Sequence, residues 1–377
     1  MTVPTNRLTS LDVFRGGAIA SMILVNTPGS WSHVYPPLLH AEWHGFTPTD
    51  LVFPAFLFIA GVAMAFSLHK YQEGATLNRA VYLRLARRCA LLFLIGLGLN
   101  SLSLILRNWP SPDFANLRIF GVLQRISLAY LGGSLLVLHL QRRWLWLTAG
   151  GLLLLYWGLI SFVPVPGFGI GDLSPEGNLV GYLDRTLFPP THLYTPNFDP
   201  EGLLSTIPAM VTLLGGYFTG DWLRDQPRSS RTSLGLAMFG LMAVILGGLW
   251  GLLFPINKAL WTSSYVLYSG GWSLLLLAGC YELIEVRGWQ RWSFPLRVMG
   301  LNAIALFVGS GIVVRLMNFI KIGSGEEAPN LYRWLYENLF ASWAGLLNGS
   351  LLFAIANILL WFVILYGCYR RGWFLKL

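Results

Sequence analysis

The chain alternates between long apolar segments and shorter polar connectors. A bilayer core about 30 Å thick requires about 20 apolar residues per helix, and ten segments come close to that length. The pattern therefore predicts an all-α, polytopic transmembrane helix bundle that forms one domain over residues 1–377. The predicted spans are residues 8–26, 48–68, 84–105, 118–138, 143–163, 204–222, 233–254, 260–281, 295–319 and 345–369.

The composition supports a membrane protein over a soluble one. Hydrophobic residues make up 55% of the chain and charged residues only 11%, whereas soluble domains carry about 25% charged residues. The first apolar segment lacks a small-residue cleavage site and keeps Asp12 and Arg15 near its start. We therefore interpret it as a retained helix and not as a signal peptide.

The distribution of basic residues predicts the orientation. Lys and Arg are concentrated on alternate connectors and on both tails, where Arg7 and Lys376 lie, in a roughly threefold excess over the opposite face. Because cytoplasmic loops are enriched in these residues, both termini are predicted to be cytoplasmic. The net charge of +9 is thus explained by topology, and no nucleic-acid partner is predicted.

The first external connector carries His33, His40 and His44, which are half of the six histidines. Histidine can accept and return a proton near neutral pH, so this connector is a candidate catalytic segment. A histidine that only bonds to a loop carbonyl is the simpler alternative. His40 and His44 have the i, i+4 spacing of a zinc site, but no third ligand accompanies them, and no metal is predicted.

Asp50 has two compatible interpretations. In Thr47-Pro48-Thr49-Asp50, Thr47 is at the N-cap, Pro48 is at N1 and Asp50 is at N3 of a capping box. The same carboxylate could also orient a histidine of the connector before it.

Two arginines are candidates for binding an anionic cofactor. Arg15 follows Asp12 at i, i+3, so it either forms an ion pair at the membrane surface or binds an anion that enters from the cytoplasm. Arg125 lies about two turns inside a predicted span, where an ionisable group is costly. Arg125 therefore indicates a site, unless it is a buried partner of Asp12.

Polar residues also cluster at the external ends of later spans. A sugar is bound by carboxylates, amides, ammonium groups and aromatic rings, although such residues also cap helices and anchor them at the interface. In the ninth span, the motif Gly300-Leu301-Asn302-Ala303 has a lone amide, Asn302, which could join helices or contact a ligand. The external candidates are Asp199, Glu201, Asn257, Lys258 and Trp261.

Several short motifs follow one another along nearly the whole chain. They are residues 10–16, Asn26, His40-Ala41-x-Trp43-x-Gly45, residues 50–54, residues 121–126, residues 199–202, Asn257-Lys258-x-Leu260-Trp261 and Gly300-x-Asn302. In this order they resemble the heparan-alpha-glucosaminide N-acetyltransferase family and its bacterial relatives. The opening Leu-Asp-x-x-Arg-Gly pattern is also similar to the wider set of membrane acyltransferases.

This resemblance implies that the chain transfers an acetyl group from cytoplasmic acetyl-CoA, across the membrane, to the amine of a terminal glucosamine. It also implies that His40 is the catalytic histidine and that Asn26 is an important amide. His40 would act as general base or would first accept the acetyl group itself. The full assignment is His40, Asn26 and Asp50 as catalytic residues, Arg15, Arg125 and Asn302 at the acetyl-CoA, and Asp199, Glu201, Asn257, Lys258 and Trp261 at the acceptor.

The resemblance further implies an integral protein of the bacterial inner membrane, in contact with membrane lipid, whose partners are acetyl-CoA and an amino sugar or glycan. The sequence leaves a homodimer open. Two other functions also fit the pattern: a transporter for amino sugars, and an O-acyltransferase that modifies a cell-envelope glycan.

Overall fold

The computed structural model describes residues 8–325 and 328–375, so Arg7 and Lys376 lie outside the described part of the chain. Within it the structure is helical, with two isolated β-bridges and no strand. The α-helices are α1 Thr9–Asn26, α2 Val52–Gln72, α3 Arg79–Arg107, α4 Val122–His139, α5 Arg142–Phe162, α6 Leu179–Leu187, α7 Thr206–Arg224, α8 Ser230–Trp250, α9 Ser263–Tyr281, α10 Phe294–Leu301, α11 Ala303–Phe319, α12 Leu331–Tyr336, α13 Ser342–Ala344 and α14 Leu346–Arg370.

A helix occupies each of the ten predicted segments, but not all of these helices are long and apolar enough to cross a membrane. Among residues 8–325 and 328–375, seven helices are long and apolar enough to cross a membrane, and the bent pair α10 and α11 makes an eighth if it is one span. Two predicted spans, α1 and α7, are not apolar enough. Asp12 and Arg15 lower the mean hydropathy of α1, and Thr, Gly and Asp residues lower that of α7. The count of ten spans and the cytoplasmic termini remain predictions.

The polar character of α1 and α7 follows from their position inside the bundle. α7 packs against α2, α4, α5 and α9, and α1 packs against α2, α9, α10 and α14, so both contact protein on several sides. Small residues allow this close approach. A Cβ built at Gly216 of α7 would lie 1.9 Å from the carbonyl oxygen of Phe58, and one at Gly300 of α10 would lie 2.0 Å from that of Asp12.

The predicted span 295–319 is not one straight helix. It bends by 81° between α10 and α11, at Asn302. The Asn302 side chain donates to the carbonyl of Trp373 (3.0 Å) and accepts from the N–H of Leu375 (2.9 Å). The C-terminal segment is therefore fastened at this bend.

Three connectors meet at the end of the bundle that is predicted to be external: residues 27–51, 163–205 and 251–262. Gly45 donates its N–H to Ile256 (2.8 Å), and the Trp43 indole donates to the carbonyl of Leu173 (2.7 Å). The longest connector contains α6, which the sequence analysis did not predict. Asn178 caps this helix by accepting from the N–H of Gly181 (2.7 Å).

Candidate active site

A cavity of about 550 Å³ runs through the bundle beside α1. Arg15 and Arg88 line one end, and Asn26, His40 and Lys258 line the other. The stretch of α1 from Arg15 to Asn26 rises about 16 Å at about 1.5 Å per residue, which is about half of a bilayer core. The apolar wall between the two ends includes Ile19, Met22, Phe56, Ile59 and Phe307.

His40 is held at the external end of this cavity by Asp50. Its Nδ1 lies 2.7 Å from Asp50 Oδ1, and Asp50 Oδ2 accepts from the N–H groups of Thr47 (3.0 Å) and Ala41 (3.1 Å). Because a carboxylate only accepts, we assign the proton to Nδ1 and a lone pair to Nε2. The His40 side chain is 46% exposed and that of Asp50 is 1% exposed. This arrangement suits an accessible base with a fixed tautomer.

The predicted capping box is confirmed. Thr47 precedes a short 3₁₀ turn, Pro48–Leu51, that leads into α2, and the Asp50 side chain accepts the backbone N–H of Thr47. The Tyr265 hydroxyl donates to the carbonyl oxygen of Asp50 (2.7 Å). Asp50 therefore caps the helix and bonds to His40 at the same time.

Lys258 approaches the imidazole from the connector between α8 and α9. Its Nζ lies 3.0 Å from His40 Nδ1, 3.1 Å from His40 Nε2 and 3.8 Å from Asp50 Oδ1. Burial lowers the pKa of Lys258, and the carboxylates of Asp50 and Glu201 oppose that shift. An ammonium at Lys258, paired with Asp50, would favour anionic atoms of a reacting group beside the base.

Asn257 and Trp261 support the loop that carries Lys258, and neither lines the cavity. Asn257 Oδ1 accepts from the N–H of Leu260 (2.8 Å), and its Nδ2 lies 3.3 Å from His44 Nδ1. The Trp261 side chain is buried and its indole N–H donates to the Thr212 hydroxyl (3.1 Å). Both residues therefore support the Lys258 loop on the side that faces away from the cavity.

The acidic pair before α7 is bound by an arginine that the sequence analysis did not select. Arg118 donates to both oxygens of Asp199 (2.9 and 2.7 Å) and to Glu201 (2.6 Å). Burial would lower the pKa of Arg118, but the bonds to Asp199 and Glu201 outweigh it and raise that pKa. Asp199 is fully buried, whereas Glu201 lines the cavity. Only Glu201 of this pair can reach an acceptor.

Arg125 lies behind the cavity wall at the external end. It is fully buried, donates to the carbonyl of Gly202 (3.2 Å) and to the Ser205 hydroxyl, and its guanidinium lies 5.0 Å from the Trp261 ring centroid. It does not line the cavity that Arg15 and Arg88 enter. The structure thus brings Arg125 to the acceptor-side loops, away from the end where a cytoplasmic cofactor would enter.

Asp184 of α6 joins the long connector to the same region. Its Oδ1 accepts from the N–H of Leu203 (3.1 Å), and it packs directly on Gly202. Burial raises the pKa of Asp184 to about 6, with the Leu203 N–H and the charge of Arg125 opposing the shift and Asp199 adding to it.

The opposite end of the cavity is basic. Arg15 lies on α1, 3.3 Å from Asp12, and Arg88 on α3 donates to the Tyr130 hydroxyl (2.9 Å). Asn302 does not line the cavity, but its side chain bonds to the C-terminal segment, and Leu375 of that segment does line the cavity. Arg88 was missed because it belongs to the basic start of a span, where the positive-inside pattern already explains its charge.

The histidines do not form a metal centre. Within the described residues, no group of three or more His, Cys, Asp or Glu side chains could hold a metal ion. His40 bonds to Asp50, whereas His44 lies against Asn257, and burial lowers the pKa of His44.

Comparison with known proteins adds a family to this geometry. The family model described as "Heparan-alpha-glucosaminide N-acetyltransferase, catalytic" matches residues 7–254, which is more than half of the chain. The chain belongs to this family. The resemblance drawn from the motifs is thereby confirmed, and the family region includes the connectors that carry His40, Asp50 and Glu201.

Two curated relatives carry the name heparan-alpha-glucosaminide N-acetyltransferase. The chain is 28% identical to the protein of Mus musculus over 99% of its own length, and 30% identical to that of Homo sapiens over 80% of its own length. The alignments cover 61% of the mouse protein and 52% of the human protein. The chain thus spans about half to six-tenths of the relatives that it matches.

Proposed function

We propose that this chain is a transmembrane N-acetyltransferase that moves an acetyl group from cytoplasmic acetyl-CoA to the amine of a glucosamine-type sugar on the opposite face. The observation that carries the proposal is the single cavity with arginines at one end and His40 at the other. Family membership and the names of the relatives support the same reaction.

The residues along the cavity fit acetyl-CoA. Arg15 and Arg88 would bind its phosphates, since guanidinium groups make strong charge-assisted hydrogen bonds to phosphate. The apolar wall of α1, α2 and α11 would enclose the pantetheine arm. Bound in this way, acetyl-CoA supplies an activated acetyl group on a thioester.

Asn26 and His40 would act on the reacting atoms at the external end. Asn26, the last residue of α1, would donate its amide N–H to the thioester oxygen as negative charge develops there. His40 Nε2 would take the proton that the attacking amine loses while the C–N bond forms and the C–S bond breaks. The leaving thiolate would then receive that proton from His40.

Asp50 and Lys258 would hold the base in the required state. Asp50 would keep the proton on Nδ1 and leave the lone pair on Nε2, which is the role of the orienting group in a catalytic triad. Lys258 would offset negative charge on the oxygen or the sulfur. Glu201 would contact the ammonium or hydroxyl groups of the sugar, with Arg118 and Asp199 fixing its position.

The remaining predicted site residues receive supporting roles in this proposal. Arg125, Trp261 and Asn257 would position the Lys258 loop, because they contact that loop or its neighbours and do not reach the cavity. Asn302 would shape the cofactor end through the C-terminal segment.

Acetyl transfer to glucosamine by the purified full chain tests the proposal. His40→Ala should lower the rate by roughly 10²–10⁴-fold, the usual contribution of a positioned base. His33→Ala is the matched control, because His33 lies on the same connector but does not line the cavity. A His40→Ala enzyme as active as the wild type, or sugar uptake into proteoliposomes without acetyl-CoA, would contradict the proposal.

A second experiment separates the two roles of His40. The enzyme is mixed with labelled acetyl-CoA in the absence of acceptor. Label recovered on His40 indicates an acetyl-histidine step, and its absence indicates direct transfer.

A further inference from the structure

A second cavity, of about 450 Å³, lies on the outside of the bundle between α5 and α8, with α7 and α9 as its floor. We call it the lateral cleft. Its rim consists of large exposed apolar side chains, among them Trp146 on α5 and Phe239, Met242 and Leu246 on α8. Both rim helices are long and apolar enough to cross a membrane, so the lateral cleft opens toward lipid.

The lateral cleft has the length of one lipid leaflet. Its lining extends along α7 from Val211 to Trp222, a rise of about 16 Å, whereas the bilayer core is about 30 Å thick. It is therefore a groove along the membrane normal that reaches the surface at one end only.

That end carries an exposed arginine. Arg142, the first residue of α5, lines the cleft with a side chain that is 58% exposed, and its Nε lies 3.2 Å from Asp221 Oδ2. Arg224 shares Asp221 with Arg142 (3.2 Å) and also pairs with Glu73 (2.8 Å). An exposed guanidinium at the level of the lipid headgroups is complementary to a phosphate.

The inner end of the lateral cleft is close to the candidate active site. Thr212 lines the cleft, and its hydroxyl accepts the indole N–H of Trp261 (3.1 Å). Material bound in the cleft would therefore pack against the residue that anchors the Lys258 loop.

We propose that the lateral cleft binds one acyl chain of an anionic phospholipid, with the lipid phosphate at Arg142. An apolar groove facing hydrocarbon gains dispersion contacts only when a chain fills it. The one-leaflet length and the arginine at the outer end select a phospholipid, because a membrane-spanning helix from a second copy of the chain would be about 30 Å long, roughly twice the length of the cleft.

Glycines allow a sharp test, because Gly150, Gly215 and Gly270 line the cleft and a Cβ built on each meets no atom within 4 Å. Gly215→Leu should fill the cleft without displacing a helix. Gly151→Leu is the matched control, since a Cβ there also meets open space but Gly151 does not line the cleft. Native mass spectrometry of the purified chain, equilibrated with phosphatidylglycerol, counts the lipids that each variant retains.

The wild type and Gly151→Leu should each retain one tightly bound phosphatidylglycerol, and Gly215→Leu should bind it at least roughly tenfold more weakly. Arg142→Gln should weaken retention of phosphatidylglycerol more than that of phosphatidylcholine, because the choline cation already offsets the phosphate charge of the second lipid. Equal retention by the wild type and Gly215→Leu would overturn the proposal.

A wild-type experiment keeps the proposal testable if Gly215→Leu does not fold. A phosphatidylglycerol with a photoreactive group on its acyl chain is incorporated into nanodiscs with the full chain and activated. The account predicts labelled peptides from α5, α7 and α8 at cleft positions. Labelling distributed over all lipid-facing helices, or cross-links between two copies at α8, would overturn it.

Discussion

At the scale of single residues, Asp50 combines a structural task with a chemical one. Its Oδ2 accepts the N–H groups that begin the turn before α2, and its Oδ1 bonds to His40. The position of the imidazole is thus tied to the first turn of a membrane helix. A carboxylate on a loop without these backbone bonds would move with the loop and would not hold the imidazole in one orientation.

Asp50→Asn should separate the two tasks. The amide can still accept a backbone N–H, so the helix start should weaken by only about 1 kcal/mol. Because the Asn side chain no longer favours the required histidine tautomer, kcat should fall by roughly 10²–10⁴-fold. Steady-state kinetics checks the fall in kcat, and thermal unfolding of the same sample checks the small loss of stability. A large loss of stability with an unchanged kcat would assign Asp50 a structural role alone.

An arginine that lines the cavity and one that lies behind its wall should give different kinetic effects. Arg88→Gln should raise the KM for acetyl-CoA by roughly 10–100-fold, because it removes a charged hydrogen bond to phosphate. Arg125→Lys keeps the buried charge but loses the planar fork, so kcat should fall while the acetyl-CoA KM stays within about twofold. An increased KM for acetyl-CoA in Arg125→Lys would contradict this expectation and would support the original assignment of Arg125 to acetyl-CoA binding.

These residues also show where single-sequence reasoning succeeds. The capping box of Thr47 and Asp50 is local, so four consecutive residues predict it. The approach of Lys258 to His40 joins positions 218 residues apart, and Arg118 meets Asp199 across 81 residues. Periodicity and composition contain no information about such pairs, and motif resemblance supplied Lys258 but not Arg118.

At the scale of elements, the close contact of α1 with α10 shapes the cofactor end of the cavity. A Cβ at Gly16 would lie 1.7 Å from the carbonyl oxygen of Leu296, and the backbones are correspondingly near. Arg15, Gly300 and Leu301 all line the cavity beside this contact. The glycines therefore serve the site by letting two helices approach.

Gly300→Val should force α10 away from α1, because its side chain would meet the Asp12 carbonyl. We expect a loss of about 1–3 kcal/mol in the free energy of unfolding and a higher acetyl-CoA KM. Gly279→Val on α9 is the control, since a Cβ there meets no atom within 4 Å. Equal behaviour of the two variants in thermal unfolding would contradict the packing argument.

The α6 connector should make stability depend on pH through Asp184. Its folded pKa of about 6 lies above the ordinary 3.8, so the folded chain holds the proton more tightly than the unfolded chain. Stability from this group is therefore greatest below about pH 4 and falls as the pH rises to about 6, by an amount of order 1–3 kcal/mol. Asp199 and Arg125 face the same carboxylate and set the size of the effect.

Asp184→Asn should remove this contribution. Thermal unfolding of the wild type and the variant at several pH values between 4 and 7 gives the difference between their free energies of unfolding. The contributions of all other carboxylates are the same in both proteins and cancel in this difference. The variant should gain stability relative to the wild type as the pH rises. A difference that does not change with pH would show that Asp184 keeps its ordinary proton affinity.

At the scale of the whole molecule, the apolar segments predicted the helices well, because hydrocarbon thickness imposes one length on every span. They did not predict α6, which packs on protein, or the bend at Asn302, whose side chain bonds to the C-terminal segment. Hydropathy also describes α1 and α7 poorly, since central helices face protein. Of the helices that line the cavity, α1 is thus less visible to hydropathy than α2 and α3.

The central claim is that one cavity connects a donor at the Arg15 and Arg88 end with an acceptor at His40. Proteoliposomes with labelled acetyl-CoA sealed inside and glucosamine only outside test it directly. The account predicts labelled N-acetylglucosamine in the outer solution for the wild type, and none above background for His40→Ala. Product that forms only when donor and acceptor share one side of the membrane would contradict it.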